Sequence, residues 1–118
     1  MSKVSDVGIQ ELLDRQKCYD VLTRYCRAPD RADVALMKSV YRDDADDEHG
    51  VFTGNAQEFA EFIIREIQVW FEVTMHAICN IHREYYGDTM CTGSCLIAYH
   101  KVKADKEKVL AVQGAMDY

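Results

Sequence analysis

The stretch Val73-Thr74-Met75-His76-Ala77-Ile78-Cys79-Asn80-Ile81-His82-Arg83-Glu84-Tyr85-Tyr86-Gly87-Asp88-Thr89-Met90 decides how this chain folds. It is rich in β-branched and aromatic residues, contains no proline, and reaches Gly87-Asp88, a dipeptide suited to a tight hairpin. A second β-like run continues from Thr89 to Val102, so the two read as long antiparallel strands. In the first of them, alternation puts His76, Ile78, Asn80 and His82 on one face and Met75, Ala77, Cys79 and Ile81 on the other. A further turn around Ala104 to Lys106 leads into Val109-Leu110-Ala111-Val112, a third strand.

Upstream of the strands the period changes to that of helices. From Ser5 to about Arg27, Ile9, Leu12, Leu13, Val21, Leu22, Tyr25 and Cys26 recur at helical spacing between charged residues. Pro29, the single proline, disfavours helical geometry at Ala28, which predicts a helix end just before Asp30 and puts that carboxylate at a corner. Asp33 is placed to cap a short helix carrying Leu36, Met37 and Val40. The acidic run Asp43-Asp44-Ala45-Asp46-Asp47-Glu48 then leads through His49-Gly50 toward a strand. Asn55 with Glu58 three residues on resembles a capping box, and Phe59, Phe62, Ile63, Ile67 and Trp70 mark a third helix that should cover a sheet. Helices first and a strand meander afterwards predict an α+β fold in a single domain over residues 1–118.

The chain has 118 residues, is 48% hydrophobic and carries a formal net charge of −6, enough for one core and without a broad basic face. Nucleic acid and anionic membranes are therefore excluded as expected partners, and no apolar run is long enough for a spanning helix. The start Met1-Ser2-Lys3 lacks an apolar leader, so a cytoplasmic location is expected. Its five cysteines, Cys18, Cys26, Cys79, Cys91 and Cys95, follow no disulfide framework and are expected as reduced, mostly buried small hydrophobes. Cys91 and Cys95 on one strand would stand about 13 Å apart, too far for one zinc ion or a disulfide.

Several side chains invite a chemical reading. His76 lies in the apolar part of its strand, as either a satisfied core histidine or a functional group. His100 ends the run Leu96-Ile97-Ala98-Tyr99-His100, where it either approaches His76 laterally or lies at a strand end on the surface. His82, beside Arg83 and Glu84, reads as solvated. His49 follows an acidic run that is more simply solvated than metal-binding, so no metal is expected.

Taken together, Tyr25-Cys26-Arg27-Ala28-Pro29-Asp30-Arg31-Ala32-Asp33, Tyr41-Arg42-Asp43-Asp44-Ala45 with His49-Gly50, Thr74-Met75-His76 with Asn80, Gly87-Asp88-Thr89 and Tyr99-His100 resemble SnoaL-like domains of the nuclear-transport-factor-2-like superfamily. The resemblance implies a cone-shaped fold in which the N-terminal helices pack on a curved antiparallel sheet that encloses an apolar pocket. It implies that Asp30 and His76 meet as a general acid–base pair, with Tyr25 one helical turn before the Asp and His100 on the next strand as further catalytic candidates. His49, Asn80, Ile78 and Trp70 are the candidates for contacting a ligand.

The function so implied is a cofactor-independent dehydratase, lyase or isomerase acting on a hydrophobic, cyclic, oxygenated small molecule. The alternative is a non-catalytic ligand-binding or oligomerisation module of the same fold, including a structural role like that of ring-hydroxylating dioxygenase small subunits. A homo-oligomer, a dimer in the first instance, is expected through the outer face of the sheet. Relatives of this type continue with a further aromatic and basic strand beyond the position of Tyr118, which predicts that residues 109–118 form an edge strand covered by a second copy.

Overall fold

The computed structural model describes residues 5–105 and 107–117, the stretch 113–117 as backbone only. Tyr118, included in the expectation for the C-terminal strand, lies outside the described residues. Three helices, α1 (Asp6–Arg31), α2 (Val34–Ser39) and α3 (Ala56–Trp70), accompany a short hairpin of β1 (Asp46–Glu48) and β2 (Thr53–Asn55). Three longer strands follow, β3 (Phe71–Tyr86), β4 (Thr89–Val102) and β5 (Val109–Asp117), in an antiparallel sheet of order β3-β4-β5. The expected α+β architecture is present, with N-terminal helices packed on an antiparallel meander. Gly87 adopts φ 65 at the β3–β4 turn, where a residue lacking Cβ avoids the left-handed penalty.

Each helix starts where a short polar side chain satisfies its first free N–H groups. The Ser5 hydroxyl accepts from the Gly8 amide, Asp33 from Leu36, and Asn55 Oδ1 from both Gln57 and Glu58. The Gln57 side chain donates to the Lys38 and Tyr41 carbonyls, which fastens the end of α2 to the start of α3. Between the three helices lies a core of Tyr25, Ala28, Met37, Phe59, Ala60 and Ile64, with Leu22 also fully buried. Phe59, at 0% exposure, is the largest fully buried side chain among the described residues and meets Phe52 and Tyr41 edge-on or tilted.

The first helix differs from the sequence expectation at both ends. It continues through Pro29 to Arg31, so Asp30 occupies the last helical turn rather than a corner beyond it. A proline so close to the C-terminus costs one N–H donor, and Pro29 is itself buried. Termination falls instead on Ala32, at φ 52, whose amide bonds back to the Ala28 and Pro29 carbonyls. At the other end, Ile9, Leu12 and Leu13 are exposed at 46%, 64% and 51% instead of facing a core. Contact there is limited to the hairpin end of the sheet, where Tyr85 donates to the Glu11 carbonyl and Arg83 to the Arg15 carbonyl.

A β-bulge between Ile78 and Ile81 breaks the alternation assumed for β3. Thr74, His76 and Ile78 face inward before it, and Ile81, Arg83 and Tyr85 do so after it, because one extra residue exchanges the two faces. Asn80 and His82 are consequently exposed and do not share the His76 face. The cysteines are also less buried than expected. Cys79, Cys91 and Cys95 are exposed on the outer side of β3 and β4, and only Cys26 is buried.

Ala32 is the one non-glycine with positive φ among the described residues. Ala32→Gly should relieve the left-handed penalty and raise stability by about 0.5–1 kcal/mol, after allowing for the greater freedom of glycine in the unfolded chain. A urea midpoint that rises with an unchanged slope would show this; an unchanged or lower midpoint would contradict it.

Candidate active site

The end of α1 delivers Asp30 to β3, and the carboxylate gathers three donors. Asp30 Oδ1 accepts from the Thr74 hydroxyl at 3.0 Å, Oδ2 accepts from the His76 amide at 3.0 Å, and Oδ1 lies 2.7 Å from His76 Nδ1. Since an ionised carboxylate can only accept, this geometry assigns the Nδ1–H tautomer to a neutral His76. The side chains of His76 and Asp30 retain 11% and 22% exposure, so the pair is sheltered without being sealed. Cys26, one turn before Asp30, is pushed up to about 11 by its burial and by the Asp30 charge, which keeps the thiol protonated.

His100 comes from the neighbouring strand, where Thr74 pairs with His100 and His76 with Ala98, so all four residues share the inner face. The two imidazoles meet edge-to-face with centroids 5.2 Å apart, and Phe71 covers His100 at 4.6 Å. Burial and then the adjacent His76 lower the affinity of His100 for a proton, against the opposing influence of the Leu110 backbone and Asp30. His100 Nδ1 is buried with no hydrogen-bond partner among the described residues. The Leu110 backbone, which favours a protonated nitrogen, therefore acts at Nε2, and Nδ1 is left as the acceptor of the neutral ring.

His49 approaches from the β1–β2 turn. Its ring lies 4.6 Å from Phe59, and Nδ1 is 3.3 Å from Asp47 Oδ1, while Tyr41 donates to Asp47 Oδ2 at 2.7 Å. Burial alone would raise the Asp47 carboxyl, but the adjacent His49 ring and the Tyr41 hydroxyl outweigh it and hold the group below the usual carboxylate range.

His49, His76, His100 and Tyr25 all line one inner chamber of about 190 Å³, closed by apolar groups such as Met37, Ile63 and Leu96. Outside it, an open groove of about 530 Å³ runs between the last turns of α1 and β3 and holds Asp30, Thr74 and Ile78. His76 belongs to both cavities and forms part of the wall between them.

The structure thus brings together Asp30, His76, Tyr25, His100 and His49, and puts Ile78 in the adjoining groove. It does not bring in Asn80, turned outward at the bulge, or Trp70. Trp70 ends α3 at 58% exposure and donates its indole N–H to Glu66 instead. Thr74 was not singled out in the sequence, although its place two residues before His76 puts both on one strand face. Among the described residues no group of three or more His, Cys, Asp or Glu side chains could hold a metal ion, and no helix is long and apolar enough to cross a membrane.

Residues 10–118 match the SnoaL-like domain model, and the chain belongs to that family. Its fold is similar to that of a hexachlorocyclohexane dehydrochlorinase from Novosphingobium barchaimii, with TM-score 0.81 and 14% identity over 92% of this chain and 76% of that one. A nuclear transport factor 2-like superfamily protein from Salmonella enterica has TM-score 0.76 and 15% identity over 86% of this chain and 75% of that one. A Kribbella flavida protein reaches TM-score 0.79 and 19% identity over 91% and 79%. At these identities the likeness establishes the fold alone. No curated protein matches the chain in sequence.

The low proton affinity of His100 has a consequence for stability. The unfolded imidazole, near its ordinary 6.5, takes up a proton before the folded one does, so stability is fully present above that pH and falls as pH drops below it. His100→Gln should flatten this dependence between about pH 7 and pH 5, leaving the carboxylate-driven loss at lower pH. Melting curves across that range would show it, and an equally steep loss in the variant would contradict it.

Proposed function

We propose that the protein is a cofactor-independent lyase or isomerase that removes a proton from a carbon of a hydrophobic, cyclic, oxygenated small molecule. The 2.7 Å contact between Asp30 and His76 Nδ1 carries this reading. With Nδ1–H directed to the carboxylate, Nε2 has a free lone pair for a proton on carbon beside a carbonyl or leaving group. The imidazolium formed is then stabilised by Asp30, as in other carboxylate–histidine pairs. For elimination, the electron pair of the broken C–H bond forms a C=C bond as hydroxide or halide departs. For isomerisation, the proton returns to another carbon.

His100, a catalytic candidate by the resemblance, fits the part of an acceptor rather than a proton donor. A neutral ring with an unsatisfied Nδ1 accepts a hydrogen bond from a ligand hydroxyl and orients it, whereas its lowered proton affinity makes it a poor proton donor at neutral pH. Tyr25, buried at 6% exposure in the same chamber, is the candidate donor to a developing oxyanion. His49 is held by Asp47 on the opposite wall and contributes a second polar contact.

The protein is further proposed to act as a homodimer in the cytoplasm. The outer sheet face beside β3 presents Ile97, Tyr99, Val109 and Ala111, of which Tyr99 is 45% and Val109 58% exposed. An apolar face of this kind marks an interaction surface. All five cysteines are unpaired, which suits a reducing compartment.

Hydrogen–deuterium exchange at carbons beside the carbonyl of cyclic ketones, followed by NMR in D₂O, tests the chemistry before the substrate is known. His76→Ala and Asp30→Asn should each slow exchange about 10²- to 10⁴-fold with unchanged circular dichroism. Full exchange in both variants, or loss of fold in both, would leave His76 as a core histidine. Light scattering at micromolar concentration should give a dimer mass that Tyr99→Lys converts to a monomer; a monomeric wild type would refute the assembly.

A further inference from the structure

The inner chamber, at about 190 Å³, is smaller than most small-molecule sites, which span about 300–1,000 Å³. The outer groove, at about 530 Å³, falls within that range and touches the same His76 ring. A cyclic ligand therefore has room for its body in the groove, with its reacting carbon at His76 and only a small substituent reaching the chamber.

The groove is built from a regular stripe of α1. Tyr19, Thr23, Arg27 and Arg31 recur at four-residue intervals, so they lie along one side of the helix above Val73 and the rest of the β3 edge. Tyr19 and Val73 give the groove apolar surface, while the two arginines crowd the end that holds Asp30. Among the described residues neither guanidinium takes part in an ion pair or hydrogen bond, although the chain as a whole is acidic. Asp30 does not compete for them, because its oxygens are already engaged by Thr74 and His76.

From this arrangement we infer that Arg27 and Arg31 bind an anionic group of the ligand, so that the substrate class is an apolar ring carrying a carboxylate. This inference rests on the proton-transfer reading for the word substrate, but the anion site itself stands on the groove. Two guanidinium groups present planar donor forks matched to a carboxylate. The negative end of the α1 dipole and the charge of Asp30 offset part of their field, which favours a single negative charge over a dianion. Held at this end, the carboxylate would orient the ring along the groove and set which carbon faces His76 Nε2.

Titration calorimetry with 1-naphthylacetate and 1-naphthylacetamide, which share one shape and differ in charge, tests the site directly. The carboxylate should bind about tenfold more tightly than the amide at low ionic strength, and the preference should shrink with added salt. Arg27→Gln combined with Arg31→Gln should abolish that preference while leaving amide affinity and the circular dichroism spectrum unchanged, since both residues are exposed and Gln preserves helix propensity. Equal affinities for wild type, a preference that survives in the double variant, or no binding of either compound at millimolar concentration would overturn the inference. A preference retained in His76→Ala, in a protein without exchange activity, would separate failure of the proton-transfer reading from failure of the anion site.

Discussion

The Asp30 carboxylate is the point on which the structure turns. It sits in the last turn of α1 and accepts from the Thr74 hydroxyl, the His76 amide and the His76 ring. Strand β3 is at the edge of its sheet, so the His76 amide has no neighbouring strand on that side to accept it. A side-chain carboxylate from the helix performs that role, fastening the helix end to the sheet and satisfying a backbone donor. The same atoms set the tautomer of the imidazole. Structural attachment and chemical orientation thus share one carboxylate.

Around this point the polarity of the inner sheet face becomes intelligible. A sheet covered by helices would normally turn aliphatic side chains toward them, yet Thr74, Thr92, Ser94 and His100 are buried on the inner face. Their burial carries a desolvation cost that hydrogen bonds only partly return, and His100 Nδ1 has no partner among the described residues. The helical core of Phe59, Leu22, Met37 and Ile64 supplies the compensating apolar burial. The molecule therefore divides into a packed helical half and a sheet half whose inner face carries buried polar groups.

The order of elements was legible in the sequence because each boundary has a local cause. The caps at Asp33 and Asn55, the hairpin at Gly87-Asp88 and the change of period between Trp70 and Val73 all act within a few residues. Asp30 and His76, 46 residues apart, became a pair only through the family resemblance, since periodicity cannot show which helix end meets which strand. The misplacement of Asn80 has a different origin. One extra residue at the bulge reverses every later side chain, and nothing in Ile78-Cys79-Asn80-Ile81 distinguishes a bulge from regular strand. For Pro29, a local rule that usually ends helices was overridden: the proline is buried within the last turns and the stop falls on Ala32. The arginine stripe was present in the sequence as spacing, but its significance depends on a groove that only the packing of α1 against β3 creates.

The central claim is that Asp30 holds His76 as the Nδ1–H tautomer with Nε2 free to accept a proton. Nitrogen-15 NMR of the His76 ring at neutral pH reads this directly, because protonated and lone-pair nitrogens of imidazole have widely separated shifts. The account predicts a protonated Nδ1 and a pyridine-like Nε2 in the neutral ring of wild type, and a mixture of tautomers in Asp30→Ala. A wild-type ring protonated at Nε2, or a tautomer ratio that Asp30→Ala leaves unchanged, would contradict it.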